Sequence, residues 1–414
     1  MRVHQTWIPA FLLSHAISNI AQHVEWDGED LNIHPDRYGN VKFAVLADFG
    51  HVETSPHAQK MAHKLNTLCT NNDIHFIVST GDNFYGTVDF QKYWIDRFNI
   101  GLTSCKWVVL AGNSDYKDIL SDYHHALGKI EAQMEGPQGE FGDKWLMPRH
   151  NFIGIINGTD YEFAFLDTVE DSEQTKRIIK QRENLLVNMN QAKKYIVFGH
   201  YPILSNIQGD LGKKVTYLKN HFDKNKNILL YCASHVHALE LLQYHDRTQS
   251  PPVPSYVQVI SGAAGAFLNQ KANDKDYRVM EDGLEIGKPI HSEIKKWKEG
   301  SYEDNYALKN ALEVLDVKRG GEMENGLVNA LKSLSSETQH PRHVSETPAE
   351  SKQKERRGKV HYGESRNGFV VFTLQTQMHM LHLTYYTQDG ISDMKTKEFQ
   401  LYLDPTSGRV HMPG

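Results

Sequence analysis

The sequence predicts a layered α/β fold, and three observations support this. Between residues 41 and 260, short apolar runs alternate with amphipathic stretches, which is the pattern of strand–helix–strand units. The C-terminal part instead has segments rich in Val, Phe, Thr and Tyr, which predict an antiparallel meander. With 39% hydrophobic and 23% charged residues, the 414-residue chain has the composition of a globular protein. Its net charge of −6 argues against a nucleic-acid-binding protein.

The elements are expected in the following order. The predicted strands are residues 41–47, 75–79, 106–110, 161–166, 195–198, 228–231 and 256–260. The predicted helices are residues 55–69, 91–98, 119–130, 173–188 and 215–222, the first opened by Ser55 as N-cap and Pro56 at the first helical position. The meander covers residues 368–374, 379–386 and 397–403. The predicted strands are compatible with one mixed sheet or with two sheets packed face to face.

Four regions follow from composition. Residues 1–25 are expected to be a signal peptide, because Arg2 precedes a short apolar run; an ordinary apolar segment is the alternative. Residues 38–268 are the core, and residues 359–414 complete the same domain with the meander. Residues 269–358 are an insertion, partly disordered because its end has almost no apolar residues. This insertion is either a partner-binding segment or a tolerated loop expansion.

Two further features bear on the compartment. Asn157-Gly158-Thr159 is an N-glycosylation sequon, which supports a glycoprotein of the secretory route. The three cysteines permit at most one disulfide and cannot form a Cys-only zinc cage. We therefore expect the protein in the lumen of the secretory pathway or outside the cell.

Polar side chains follow five of the predicted strands, at the strand ends where α/β sheets bind ligands. They are Asp48, Asp82, Asn113, His200, His235 and His237. Each alone is typical of a cap, a turn or a hydrogen-bonded core residue. Six at successive strand ends indicate a metal centre of carboxylate, amide and imidazole ligands. Asp82 could bridge two cations, and two ions about 3.5–4 Å apart are a recurring device for displacement at phosphorus.

These segments resemble a known family. The motifs are Asp48-Phe49-Gly50, Gly81-Asp82-Asn83-Phe84-Tyr85, Gly112-Asn113-Ser114-Asp115, Gly199-His200-Tyr201-Pro202 and His235-Val236-His237. In this order they look like the five motifs of the calcineurin-like metallophosphoesterases, and the motif ending at Tyr85 is similar to that of purple acid phosphatases, closest to the small tartrate-resistant type. The resemblance implies a four-layer α/β/β/α sandwich with mixed sheets.

The resemblance also implies a function and its ligands. Asp48, Asp82, Tyr85 and His237 would hold Fe(III). Asp82, Asn113, His200 and His235 would hold a divalent ion, either Fe, Zn or Mn. A metal-bound hydroxide would then hydrolyse a phosphomonoester, with Asp82, Asn113 and Ser114 at the catalytic positions.

Two departures from the family pattern are expected to alter acid catalysis. Ser114 stands where the family has a histidine that protonates the leaving group, and residues 205–211 lack the family's second active-site histidine. The alternative is therefore a weak or inactive pseudophosphatase that acts as an interaction scaffold. Such a scaffold is similar to the glideosome-associated membrane protein of apicomplexan parasites, although no transmembrane segment is predicted here. A protein partner would bind through residues 269–358.

Overall fold

The fold comes from a computed structural model. It describes residues 23–50, 56–102, 104–116, 123–169, 176–205, 209–210, 215–246, 253–264, 358–364, 367–389, 393–404 and 409–412. The main compact unit comprises Met1–Gly287 and Arg357–Gly414, and the second, Lys288–Arg356, lies outside the described residues. The predicted signal peptide, the insertion and its disordered part also lie outside them, apart from the signal peptide's last residues and Gly358.

Strands in the described part form two large mixed sheets. In spatial order the first sheet comprises β1 (Val24–Trp26), β2 (Leu31–Ile33), β7 (Phe152–Ile156), β8 (Tyr161–Phe165), β9 (Lys194–Phe198), β12 (Ile228–Ala233), β14 (Val253–Ser261), β13 (Leu239–Asp246) and β15 (Gly358–Glu364). The second comprises β19 (Arg409–His411), β18 (Asp393–Asp404), β17 (Met380–Asp389), β16 (Gly368–Gln375), β3 (Asn40–Leu46), β4 (Phe76–Ser79), β5 (Lys106–Val109) and β6 (Trp145–Leu146). A small hairpin pairs β10 (Leu204–Ser205) with β11 (Gly209–Asp210).

Helices lie between the strands. They are α1 (Pro56–Thr70), α2 (Asp96–Phe98), α3 (Asn113–Tyr116), α4 (Tyr123–Glu135), α5 (Lys176–Val187) and α6 (Thr216–Lys224). The helix expected over 91–98 is present as a π-helical turn, Gln91–Ile95, that leads into α2. The remaining helices and all predicted strands occur within a few residues of their expected bounds.

The apolar clusters show four layers. One cluster lies between the two sheets, where Phe43 of β3 stacks on Phe372 of β16 at a ring separation of 4.9 Å and meets Phe163 of β8 edge-on at 5.1 Å. A second cluster covers the outer face of the second sheet and includes Leu65 of α1. A third covers the outer face of the first sheet and includes Leu186 of α5. The predicted α/β/β/α sandwich with mixed sheets is therefore confirmed.

The central strands are apolar on both faces, because one face packs against the other sheet and the other face packs against helices. All six residues of β12 are buried, and β12 runs parallel to β9 and β14 on its two sides. A strand enclosed in this way reads as a continuous apolar run rather than an alternating one. Parallel strands end at the same edge of their sheet, so that β3, β4 and β5 of one sheet direct their carboxyl ends together.

One disulfide links helix α1 to the start of strand β5 in the second sheet. Cys69 near the end of α1 is bonded to Cys105, directly before β5, over 36 residues of sequence. The third cysteine, Cys232, is free and buried in β12. The bond fixes α1 against the strand that leads to Asn113, and it closes a loop that the unfolded chain would otherwise leave open.

Removing this bond should lower the free energy of unfolding. For the double variant Cys69→Ala/Cys105→Ala we expect a loss of about 2–5 kcal/mol, the usual effect for a native disulfide, measured by denaturant titration. A reducing agent should destabilise the native protein by a similar amount and leave the variant unchanged. Equal sensitivity of both proteins to reductant would show that the bond carries no stability.

Candidate metal centre

The predicted site residues lie at the carboxyl ends of strands in both sheets. Asp48, Asp82 and Asn113 follow β3, β4 and β5 of the second sheet, whereas His200 follows β9 of the first. His235 and His237 follow β12, the parallel neighbour of β9. Because the two sheets face each other, these strand ends meet in one place. Carboxylate or imidazole atoms of Asp48, Asp82 and His200 lie within 4.8 Å of one another.

His200 stands at the centre of one half of this site. Its Nε2 lies 3.0 Å from Oδ1 of Asn113 and 3.3 Å from Oδ1 of Asp82, and the ring is completely buried. Its Nδ1 lies 3.0 Å from the carbonyl oxygen of Thr80 and 2.9 Å from Oγ of Ser234. Hydrogen bonding at Nδ1 fixes the ring so that Nε2 faces the carboxylate, which is how metal-ligating histidines are held.

Asp48 organises the other half. Its Oδ1 lies 3.6 Å from Nε2 of His237, and that nitrogen lies 3.3 Å from the hydroxyl of Tyr85. The backbone N–H of His235 donates to Oδ2 of Asp48 over 3.1 Å. The His235 ring lies edge-on to His200 with centroids 5.1 Å apart. The structure therefore brings all seven predicted ligand positions into one pocket.

The backbone around the ligand positions is unusual. Asp48, Asp82 and His235 have φ values of 59°, 55° and 64°, and they are three of the six non-glycine residues with positive φ in the described part of the chain. This left-handed conformation is unfavourable for most L-residues and concentrates at functional sites. It turns the chain sharply after each strand and directs the three side chains into the pocket.

Close packing at Gly112 completes the pocket wall. A side chain at Gly112 would overlap the Asp82 carboxylate and lie 2.7 Å from Cε1 of His200. Only a residue without Cβ allows the chain after β5 to pass this close to Asp82 and His200.

The carboxylates in the pocket repel each other. Burial, together with the charge of Asp82, raises the pKa of Asp48 well above its usual range. The same two causes raise the pKa of Asp115 to about 7. Burial also acts to raise the pKa of Asp82, but His200 and the hydrogen bonds from Ser114 outweigh it, and the pKa lies below its usual value. Burial and Asp48 raise the pKa of the Tyr85 phenol well above its usual range.

These residues fit a bound cation. Oδ1 of Asp48 is buried and has no hydrogen-bond partner in the described part of the chain, and a metal ion would supply the missing partner. Oxygen and imidazole donors are the ligands that Fe, Zn and Mn take in proteins. A cation would also offset the negative charge that makes Asp48 and Tyr85 difficult to ionise.

Ser114, the residue at the expected acid position, is turned toward Asp82. Its backbone N–H donates to Oδ1 of Asp82 over 2.7 Å, and its hydroxyl donates to Oδ2 over 2.8 Å. The side chain thus holds the carboxylate from one side.

Three supporting residues were not found from the sequence. Thr80 and Ser234 hold the His200 ring, and Asp115 accepts hydrogen bonds from the backbone N–H groups of Asn83, Phe84 and Gly112. Ser234 is adjacent to His235 in the chain, but a serine there gives no signal by itself. Asp115 lies within the third motif, where an aspartate next to the ligand position suggests a structural role.

Comparisons with known proteins agree with this fold. Residues 41–239 match the family model described as calcineurin-like phosphoesterase. The chain is 22% identical over 284 residues to purple acid phosphatase 4 of Arabidopsis thaliana, covering 63% of this chain and 78% of the relative. It is 26% identical over 235 residues to tartrate-resistant acid phosphatase type 5 of Oryctolagus cuniculus, covering 49% and 69%. The predicted family resemblance is confirmed.

Two solved structures share the fold. One is described as GAP50, the anchor in the inner membrane complex of Plasmodium, with a TM-score of 0.50, 16% identity and coverage of 87% of this chain and 88% of that one. The other is PhoD, with a TM-score of 0.50, 10% identity and coverage of 93% and 74%. At these identities the likeness concerns the fold alone. Among the described residues, no helix is both long and apolar enough to span a lipid bilayer.

Substitution at Gly112 tests whether the pocket binds metal. We expect Gly112→Ala to weaken binding of Mn²⁺ about 10–100-fold, because the added methyl displaces Asp82 and His200, as loss of a supporting contact usually does. Isothermal titration calorimetry measures this change. Gly128→Ala, on an exposed face of α4 with open space around it, is the matched control and should leave the affinity unchanged. Similar Mn²⁺ affinities for both variants would exclude this pocket as the metal site.

Proposed function

Because residues 41–239 form a calcineurin-like phosphoesterase domain, we propose that the protein hydrolyses phosphomonoesters at a dinuclear metal centre. One observation carries this proposal, namely the meeting of carboxylate, amide, phenol and imidazole groups from five strands of two sheets in a single buried pocket. A pocket built only for stability would not bury two carboxylates side by side, because each loses its hydration and repels the other.

We assign two ions to two groups of residues. A ferric ion fits Asp48, Tyr85 and His237, whose polar atoms lie within 3.6 Å of a neighbour in this group. A divalent ion (Fe, Zn or Mn) fits Asn113, His200 and His235, of which Asn113 and His200 are in contact. Asp82 lies beside His200 and is assigned to both ions. This grouping is supported by the contacts and by the charge that a cation would balance.

The metal ions and the protein chain would have different roles in the reaction. When bound, a pair of ions supplies a nucleophile from water near neutral pH and neutralises charge on the phosphate oxygens. The chain itself orients these groups. Thr80 and Ser234 hold His200, while the His235 backbone holds Asp48. Burial of Asp48 and His200 excludes bulk water, so that their charges act on substrate with little screening.

Acid catalysis is altered in this proposal. The Ser114 hydroxyl is occupied by Asp82, and a serine cannot supply a proton as an imidazole does near neutral pH. Of the segment 205–211, the structure describes Ser205, Gly209 and Asp210, and no histidine occurs in it. We therefore expect activated substrates with good leaving groups to be hydrolysed most readily, unless another residue provides the proton.

We also propose a location in the secretory pathway or outside the cell. The Cys69–Cys105 disulfide supports an oxidising compartment. The glycosylation sequon lies in the turn between β7 and β8, where Gly158 is exposed.

A scaffold without turnover is the second candidate. The observation that favours it is Ser114, which binds Asp82 instead of offering an acid to substrate. A protein of the same fold is described as an anchor in an inner membrane complex. In this alternative, residues 269–358 would bind a protein partner while the metal ligands serve only to stabilise the fold.

The variant Asp82→Asn separates these functions. The native protein should contain about two metal ions per chain, as dinuclear phosphoesterases do, and should hydrolyse p-nitrophenyl phosphate. Asp82→Asn should reduce the metal content and lower turnover to background, because a neutral amide cannot balance two cations. Elemental analysis and absorbance at the nitrophenolate band measure both quantities on one preparation.

Asp143→Asn provides the matched control, since Asp143 is exposed in the short 3-10 helix before β6. It should keep native metal content and turnover. A native protein that hydrolyses no phosphate ester, with or without bound metal, would exclude the hydrolase and favour the scaffold.

A further inference from the structure

Two more strands end at the same edge as the metal pocket and also carry polar side chains. β6 runs parallel to β5 and leads to His150, and β8 runs parallel to β9 and leads to Asp167. Asp167 lies one strand, or about 4.8 Å, along from His200, because β8 is the parallel neighbour of β9. His150 lies two residues before β7, which pairs antiparallel with β8. The proposed metal ligands do not include either of them.

His150 and Asp167 contact each other and Tyr116. Nδ1 of His150 lies 3.0 Å from Oδ2 of Asp167 and 3.0 Å from the hydroxyl of Tyr116. The Tyr116 hydroxyl also donates to Oδ2 of Asp167. Asp167 is 1% exposed, whereas the His150 side chain is 20% exposed. One carboxylate oxygen therefore accepts from a phenol and an imidazole.

This arrangement determines which nitrogen of His150 carries a proton. An ionised carboxylate only accepts hydrogen bonds, so Nδ1 must be the protonated nitrogen that donates to Asp167. Both described hydrogen bonds of His150 use Nδ1, and Nε2 is left for a ligand. A buried aspartate at Nδ1 orients the ring, as in the Asp–His pair of serine hydrolases. In the imidazolium form Nε2 carries a second proton, on the side of the ring away from Asp167, and this is the proton available to a leaving group.

The cluster is attached to the metal pocket at two points. Tyr116 and Asn113 are three residues apart on α3, so their side chains lie on one face of that helix. On the other side, Thr168 follows Asp167 directly, and its hydroxyl accepts the backbone N–H of His200 over 3.0 Å. These two links connect the cluster of His150, Asp167 and Tyr116 to Asn113 and His200 through neighbouring residues.

We propose that His150 is the general acid of the phosphoester hydrolysis and that Asp167 is its positioning residue, an inference that rests on the proposed function. The oxygen of water forms a bond to phosphorus while the bond from phosphorus to the leaving oxygen breaks. The electron pair of the broken bond stays on the leaving oxygen, which takes the proton from Nε2 of His150. A proton from the attacking water restores Nε2, and the products are an alcohol and phosphate.

The role of His150 predicts a dependence on the leaving group. His150→Asn should lower kcat for an alkyl phosphate about 100-fold, the lower range for loss of a general acid. Its effect on p-nitrophenyl phosphate should be much smaller, because nitrophenolate leaves without protonation. His150→Gln is a second variant in case the asparagine impairs folding, and circular dichroism checks both.

A matched histidine outside the site provides the control. His382 on β17 is also half-buried. Its strand partner Thr373 pairs with Lys42, near the start of β3, whereas Asp48 follows the end of β3. His382 therefore lies toward the opposite end of the strands from the candidate metal site. His382→Asn should leave both substrates unaffected. Equal losses on both substrates for His150→Asn and His150→Gln, or no loss on either, would overturn the role of His150 while leaving the hydrolase intact. A native protein without turnover overturns the hydrolase and this inference together.

A second measurement does not depend on turnover. With ¹⁵N-labelled histidine, the metal-free native protein should show an Nδ1-bound proton of His150 shifted downfield by its bond to Asp167. This resonance should be lost in Asp167→Asn and retained in His382→Asn. If Nδ1 of His150 carries no proton in the native protein, the proposed orientation of the ring is wrong.

Discussion

The close approach of two buried carboxylates, Asp48 and Asp82, is the constraint on which the rest of the site depends. Like charges in a water-excluded pocket repel strongly, and each charge loses its hydration. The surrounding chain offsets this repulsion with backbone N–H donors from Ser114 and His235 and with nearby imidazoles. A bound cation would balance the negative charge that these contacts leave.

The two-sheet sandwich is what makes this approach possible. Neither sheet holds the whole set, because the proposed oxygen ligands follow β3, β4 and β5 and the imidazoles follow β9 and β12. The aromatic contacts of Phe43 with Phe163 and Phe198 fix the second sheet against the first. Packing between the two sheets therefore determines the distances between site residues of different sheets. A loss of side-chain volume in this core would change those distances.

The fold could be predicted from sequence, and so could the residues that meet in the candidate site, since buried parallel strands give continuous apolar runs and polar residues mark their ends. Leu239–Asp246 was not predicted as a strand, because it follows His237 after a single residue and no turn signal separates it from β12. The helix expected over 91–98 forms with a π-helical turn, which local sequence does not specify. Thr80 and Ser234 could not be found because they act on His200 across 120 and 34 residues.

The chain's path after β14 has a consequence for how the molecule could be divided. β15 completes the first sheet beside β13, and β16 to β19 complete the second beside β3, yet all five lie C-terminal to residue 357. A cut within residues 265–357 would thus yield two polypeptides, each with unpaired strands that only the other can cover. The two pieces are suited to reassembly as a split protein, in which restored metal binding would report their association.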